Sequence, residues 1–418
     1  MTDFDLPVPS ISVYFIVGYL LGVRHLPLLP MNSKQNSSAQ STPSFGDYPI
    51  PKRDWLYFKR ALSLATGIRI AIFIIGYIVG REVLDRSGSL YPLMQELLCR
   101  WDTIHYLAIA EHGYNYTKDT EYLLGNFPLF PLLIKIVSFV FRDFFVSSLF
   151  ISFAASVTAG YFLQKLVSLD ADDHHESGKA LWYFYLFPTA YFLVVPYSES
   201  VFLALSMASF YFARQRQWLT SGLMAALSSA TRVNGIILLP ALCVEAFLQE
   251  RKIPSKQACW LLLSPLGLLA HLFNIWYISG NAMIYFEMAK THFSTGPVLP
   301  WDNVTNLFGQ YLNSPPSSFK TISVESVLVP VFITALLLLT GCRWLRISYQ
   351  IYAWIQMGFL LSTSWVISYP RYALAIFPIF IVLARLGRNE QIHTLLSVTT
   401  ALCMGGLFAI FASGRWAF

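Results

Sequence analysis

Apolar runs separated by short polar breaks fill this chain from about residue 61 to its end. A hydrocarbon core of about 30 Å takes about 20 residues of helix at 1.5 Å each. Runs that cross or nearly cross it lie near 61–80, 146–166, 179–197, 199–213, 217–232, 234–249, 258–279, 325–342, 348–367, 370–386 and 391–411. The pattern predicts an all-α, multi-pass transmembrane bundle of about 11 to 12 spans, the twelfth being 11–29 if it also crosses. Residues 127–142 hold Pro128, Pro131 and Lys135, and are read as a juxtamembrane helix in an outer loop. Residues 1–50 form a variable N-terminal segment and polar linker, and 51–418 one integral membrane domain. Asp3 and Asp5 disfavour a cleaved signal peptide, which needs a basic start.

Composition agrees with a membrane protein. Of 418 residues 55% are hydrophobic and 12% charged, against about 25% charged in soluble domains. The net charge of +6 is spread in short clusters. That distribution disfavours nucleic-acid binding and suits topology-setting flanks. With Lys52, Arg53, Lys59 and Arg60 inside, the cytoplasmic loops collect fifteen basic residues, against eleven on the opposite face. Cys99, Cys243, Cys259, Cys342 and Cys403 show no metal or disulfide spacing. Asp170, Asp172, Asp173, His174, His175 and Glu176 fall in a short cytoplasmic loop, read as a solvated polar turn. No metal and no cofactor is expected.

Under this topology the polar breaks gather on the non-cytoplasmic side, and polar groups at membrane depth usually face a cavity. Arg100-Trp101-Asp102 precedes Asn126-Phe127-Pro128-Leu129-Phe130-Pro131. Pro196-Tyr197-Ser198-Glu199-Ser200, Thr231-Arg232-Val233-Asn234-Gly235 and Ser368-Tyr369-Pro370-Arg371-Tyr372 follow. Asp102 and Glu199 are the candidate catalytic carboxylates, each with the alternative of a helix N-cap. Arg232 and Arg371 suit a phosphodiester, because a guanidinium bonds two oxygens at once; the alternative is an interfacial anchor. His105, three residues after Asp102, shares its helical face. Arg100, Trp101, His105, Asn234 and Tyr372 complete the substrate-binding candidates, with Trp101 and Tyr372 as sugar-stacking rings.

The order of these motifs resembles the PIG-V family, the GPI mannosyltransferase 2 group, from about residue 55 onward. The resemblance rests on Arg100-Trp101-Asp102 with Ile109-Ala110-Glu111-His112-Gly113-Tyr114 and Phe127-Pro128-Leu129-Phe130-Pro131, then the Glu199, Arg232 and Arg371 motifs, with Phe377-Pro378 after them. It implies a GT-C glycosyltransferase working at the non-cytoplasmic face. Its donor would be a polyprenyl- or dolichyl-phosphate sugar and its acceptor a lipid-linked glycan. The host would be the endoplasmic reticulum in a eukaryote and the plasma membrane in a prokaryote. Membrane lipid and a small membrane partner subunit are compatible companions. The eukaryotic Gln-Ile-Pro-Asn-Phe stretch is missing. The rival class is a secondary transporter, which should show two related halves and several mid-membrane charges. No internal repeat is evident, and Arg69 is the main charge well inside a span. His271 sits alone in a span, a thin basis for an acyltransferase.

Overall fold

The computed structural model describes residues 50–115, 117, 120–170, 174–250, 256–292, 296–313, 319–363 and 368–417. The candidate span at 11–29 lies outside them. The described residues are helical, with one isolated bridge between Pro297 and Thr363 and no sheet. In chain order the helices begin with α1 (Ile50–Ile78), α2 (Leu90–Leu98), α3 (Asp102–His112), α4 (Leu129–Phe141), α5 (Phe144–Asp170) and α6 (His174–Leu186). Then come α7 (Glu199–Arg214), α8 (Trp218–Ser229), α9 (Leu238–Glu250), α10 (Leu266–Ser279), α11 (Ile284–His292) and α12 (Pro300–Asn313). Last are α13 (Phe319–Gly341), α14 (Ile347–Leu361), α15 (Tyr369–Ala373), α16 (Pro378–Leu386) and α17 (Glu390–Ala412).

Among the described residues, five helical stretches are long and apolar enough to cross a membrane: Arg53–Val83, Phe144–Asp170, Val233–Glu250, Lys256–Ser279 and Glu390–Ala412. Several other apolar runs are broken. The 179–197 run leaves α-helix at Leu186, passes through a 3-10 turn at Ala190–Leu193 and reaches the Glu199 motif. The 370–386 run splits into α15 and α16 at Phe377-Pro378, with proline early in each piece. Proline tolerates a first helical turn but cannot continue a helix that precedes it. Residues 127–142 form the expected short helix, α4, with Phe139 and Val140 each 78% exposed on an apolar flank.

α5 is the central post. It packs on α1, α4, α6 and α7, while α7 also packs on α8 and α9 on α14. The core is aromatic, with Tyr183, Phe184, Tyr191, Phe192, Tyr197, Tyr349 and Tyr352 all fully buried. The far ends of these helices are locked by charge. Glu245 is fully buried and takes Arg346 Nε and Nη2 at 2.7 and 2.8 Å, with the Ser348 hydroxyl at 2.6 Å. Arg214 pairs with Asp170 at 2.7 Å. Glu176 is buried too, holding Arg385 and Arg388 at 2.6 and 2.7 Å. The expectation of a solvated polar turn at 170–176 is therefore wrong at Glu176, which is buried, while Asp170 is exposed but paired and Asp172 and Asp173 lie outside the described residues. Asp170 and Glu176 neutralise arginines of neighbouring helices, which a reading of the loop by itself does not reveal.

Candidate active site

Four charged side chains from four separate breaks meet at one end of the bundle. Arg371, 3% exposed, reaches Asp102 Oδ2 from Nη2 at 2.8 Å and Glu199 Oε1 from Nε at 2.5 Å. Arg232 Nη1 donates to the same Glu199 oxygen at 2.6 Å. Two carboxylates and two guanidiniums thus form a neutral cluster, with Glu199 at its buried centre and Asp102, about a third exposed, at its rim. The other Glu199 oxygen, Oε2, is buried without a hydrogen-bond partner. A small recess beside it is lined by Glu199, Phe202, Arg232, Asn234, Arg371 and Tyr372.

Neither carboxylate caps its helix. α3 starts at Asp102 and α7 at Glu199, and neither N-terminus has a side-chain cap. Both carboxylates bond arginines instead, so neither is a side-chain cap, although each stands in the first turn of its helix, where the dipole favours an anion. Around them, aromatic faces receive the cations. The Arg371 guanidinium lies 4.6 Å from the Tyr197 ring, 5.1 Å from Tyr372 and 5.2 Å from Phe192. Arg232 sits 4.9 Å from the Tyr372 ring. Such cation–π contacts gain strength when water is excluded.

Backbone and hydroxyl bonds tie the breaks to one another. Thr103 Oγ1 donates to Pro196 O at 3.2 Å, and the Tyr197 hydroxyl donates to Arg100 O at 2.9 Å. The Tyr106 and Ser198 hydroxyls bond at 3.1 Å, and Arg232 Nη1 also reaches Ser198 Oγ at 3.3 Å. Leu129 N donates to Ala230 O at 3.1 Å, which joins the Pro-rich entry of α4 to the Arg232 motif. Thr189 Oγ1 donates to Pro370 O at 3.0 Å. Gly235 lets the turn after Arg232 lie against the end of α8, because a Cβ there would stand 2.3 Å from Ser229 N.

The remaining candidates spread around this centre. Trp101 takes a positive φ of 52°, unusual for a bulky residue, and meets Trp416 edge to face at 5.0 Å. Arg100 turns away from the cluster, donating to Ala412 O at 3.2 Å and standing 4.0 Å from Glu96. His105 lies one turn from Asp102 and leans on the Tyr122 ring at 4.9 Å. Asn234 is buried in the recess. Of the nine, Asp102, Glu199, Arg232, Asn234, Arg371 and Tyr372 share one site, His105 borders it, and Arg100 and Trp101 face the C-terminal segment. Phe192, Tyr197 and Ser198 also touch the cluster, the first two through ring faces on Arg371 and the third through Arg232. The sequence signal for Tyr197 and Ser198 is an aromatic and hydroxyl pair directly before an isolated glutamate, whereas Phe192 lies within an apolar run.

Asp102 is charged in this setting. Burial opposes its ionisation, but the adjoining Arg371 guanidinium outweighs that and holds its carboxyl below the ordinary range. His105 is pushed the other way from its charged form. Burial lowers its pKa, and the nearby Asp102 charge offsets only part of that. Among the described residues no group of three metal-type ligands forms. His271 bonds Leu124 O through Nε2 at 3.0 Å and meets the Phe127 ring at 4.4 Å, tilted by 36°.

Residues 88–289 match the mannosyltransferase (PIG-V) family. That match takes in just under half of the chain. Similar curated proteins are GPI alpha-1,6-mannosyltransferase 2 of Cricetulus griseus, 34% identical over 38% of this chain and 35% of that protein, and its Homo sapiens counterpart, 32% identical over 36% and 32%. The chain therefore covers about a third of the length of these relatives. An Archaeoglobus fulgidus oligosaccharyltransferase structure aligns at a TM-score of 0.42 and 11% identity, over 84% of this chain and 55% of that one, too distant a likeness to carry weight. The PIG-V match spans Asp102, Glu199 and Arg232, while Arg371 lies beyond it. The transporter alternative gains no support from any of these likenesses.

Proposed function

We propose that this chain is a PIG-V membrane mannosyltransferase of the GT-C type, moving a mannosyl or related hexosyl unit from a polyprenyl- or dolichyl-phosphate donor to a lipid-linked glycan. The observation that carries the reading is the Arg371 bridge between Asp102 and Glu199, at 2.8 and 2.5 Å. It joins the first and last polar breaks of the chain at one end of an apolar bundle.

In the proposed reaction the acceptor hydroxyl oxygen bonds to the anomeric carbon. The bond from that carbon to the phosphate oxygen breaks, and its electron pair leaves with the phosphate. The hydroxyl proton goes to Asp102, the one carboxylate of the cluster with substantial exposure. A carboxylate held by a guanidinium is a poor base, so the pairing itself has a consequence. The donor phosphate competes for Arg371, as an anion meeting a neutral cluster must displace one of its anions. Asp102, at the rim, is the one that can leave. Donor binding then frees the base at the moment it is needed, and Arg371 with Arg232 takes the charge developing on the leaving phosphate. Glu199 stays buried and holds both arginines in place. Tyr372, which lines the recess, is the ring that would meet the sugar, a part that Trp101, turned to Trp416, does not share. Because the leaving group already carries its phosphate on a lipid, the site faces the non-cytoplasmic side in this reading, in keeping with the basic bias of the opposite loops.

The deciding experiment is turnover of dolichyl-phosphate mannose in membranes by wild type and Asp102→Asn. Loss of the general base is expected to lower kcat by about 10²- to 10⁴-fold. Retained turnover removes the base from Asp102. A wild type inert towards dolichyl-phosphate mannose and other polyprenyl-phosphate hexoses removes the function.

A further inference from the structure

Arg69 stands near the middle of the Arg53–Val83 span, where an ionisable side chain is expensive to keep and usually has a task. No carboxylate pairs with it among the described residues. Its guanidinium instead donates to two backbone carbonyls, Ala65 O at 3.0 Å and Leu193 O at 2.7 Å, and lies 4.7 Å from the Phe153 ring. The first bond is local to α1 and is open to any small polar residue. The second crosses to the last residue of the 3-10 turn at Ala190–Leu193.

That carbonyl is a junction. Ser200 Oγ donates to it as well, at 3.2 Å. Ser152 on α5 donates to Val195 O at 3.3 Å, two residues on. The neighbours of these anchor points are the groups that face Arg371. Phe192 precedes Leu193, Tyr197 lies in the loop, and Glu199 precedes Ser200. A cation is the strongest donor available to a helix-end carbonyl, which carries partial negative charge. We infer that Arg69 is a positioning residue: by gripping the Leu193 carbonyl from α1 it fixes the 193–200 turn, and with it the Glu199–Arg371 contact, from outside the site. The inference rests on the proposed transferase reading for its catalytic consequence only.

The test uses the full chain in lipid nanodiscs, with Arg69→Met, Arg69→Gln and Arg69→Lys. Two measurements are made: backbone hydrogen exchange by mass spectrometry, and kcat and KM with dolichyl-phosphate mannose. In Arg69→Met and Arg69→Gln, exchange should quicken across 190–200 while α17 stays as protected as in wild type. kcat should fall about 10- to 100-fold, the scale of a small misplacement, with KM changed less than about twofold. Arg69→Lys, which keeps a charged donor, should recover part of both. Wild-type exchange and kcat in Arg69→Met overturn the inference. So does a loss that lysine fails to relieve, or one spread evenly over the bundle. Should wild type turn over no donor, the transferase reading falls, while the exchange pattern still decides the positioning role.

Discussion

Replacing Glu199 with glutamine keeps the shape of the site and removes one charge. The structure fixes what that costs. Glu199 Oε1 accepts from Arg232 Nη1 at 2.6 Å and Arg371 Nε at 2.5 Å, with the side chain 4% exposed. At charge centres about 4 Å apart and an effective dielectric of 20, each attraction amounts to about 4 kcal/mol. The repulsion from Asp102 and the desolvation of the carboxylate itself offset part of this sum. What remains should resemble other buried pairs broken on one side, about 3–5 kcal/mol. Arg371 retains Asp102, whereas Arg232 has no second carboxylate among the described pairs. The penalty should therefore fall mainly on Arg232. Thermal unfolding of Glu199→Gln in detergent micelles should occur about 5–10 °C below wild type, allowing for the smaller shift per kcal/mol in a large chain. Adding Arg232→Met should return part of the loss, with a coupling above about 1 kcal/mol. Melting within about 2 °C of wild type would refute the argument. Strict additivity of the two substitutions would refute the assignment of the stranded charge to Arg232.

Two further outcomes follow from the same geometry. His105 has a folded-state pKa below its unfolded one, so the fold prefers the neutral ring. Its contribution is whole above about pH 6.5 and declines as acid protonates the unfolded chain first. Asp102 is also lowered, so its contribution is present above about pH 4 and is lost as pH falls towards its folded value. Acid unfolding followed by intrinsic tryptophan fluorescence should show an early loss that His105→Gln abolishes, and a later one that Asp102→Asn abolishes. At Gly235 an alanine Cβ would meet the Ser229 backbone at 2.3 and 2.4 Å, where no side chain can yield. Gly235→Ala should cost about 1–3 kcal/mol, the range for overpacking, and lower turnover by shifting Arg232 and Asn234; a melt and a rate equal to wild type would show that the break has slack.

The sequence revealed the membrane class because apolar run length is a one-dimensional property. It also pointed to the four charged residues that cluster in space, since an ionisable residue between two apolar runs is conspicuous wherever the chain folds. Asp102, Glu199, Arg232 and Arg371 each stood out this way. Their partners did not, because pairing across 172 residues, as between Glu199 and Arg371, depends on helix packing. The same limit explains Asp170 and Glu176. Read along the chain they lie in a charged turn, whereas in space each meets arginine from another helix. Arg100 shows the reverse failure. Its place beside Trp101 and Asp102 suggested a substrate contact, yet the turn at Trp101 sends its side chain to the carbonyl of Ala412.

α7 connects the two kinds of charge cluster. At 1.5 Å per residue it is about 24 Å long, with Glu199 at one end and Arg214 at the other. The Arg214 end is closed by Asp170, Glu245 and the Tyr349 hydroxyl, so its charges are matched and their bonds filled. At the Glu199 end one carboxylate oxygen has no hydrogen-bond partner, and Asp102 remains partly open to solvent. Both ends cost desolvation, but only one leaves a strong acceptor unsatisfied. A buried acceptor without a donor forfeits free energy that a better-packed sequence would recover. That deficit falls beside the two arginines rather than at the sealed end, and a substrate hydroxyl arriving there would repair it. The sealed end holds α7 against its neighbours, which predicts that a ligand at the other end would rearrange only the side chains of the cluster and the short turns that carry them.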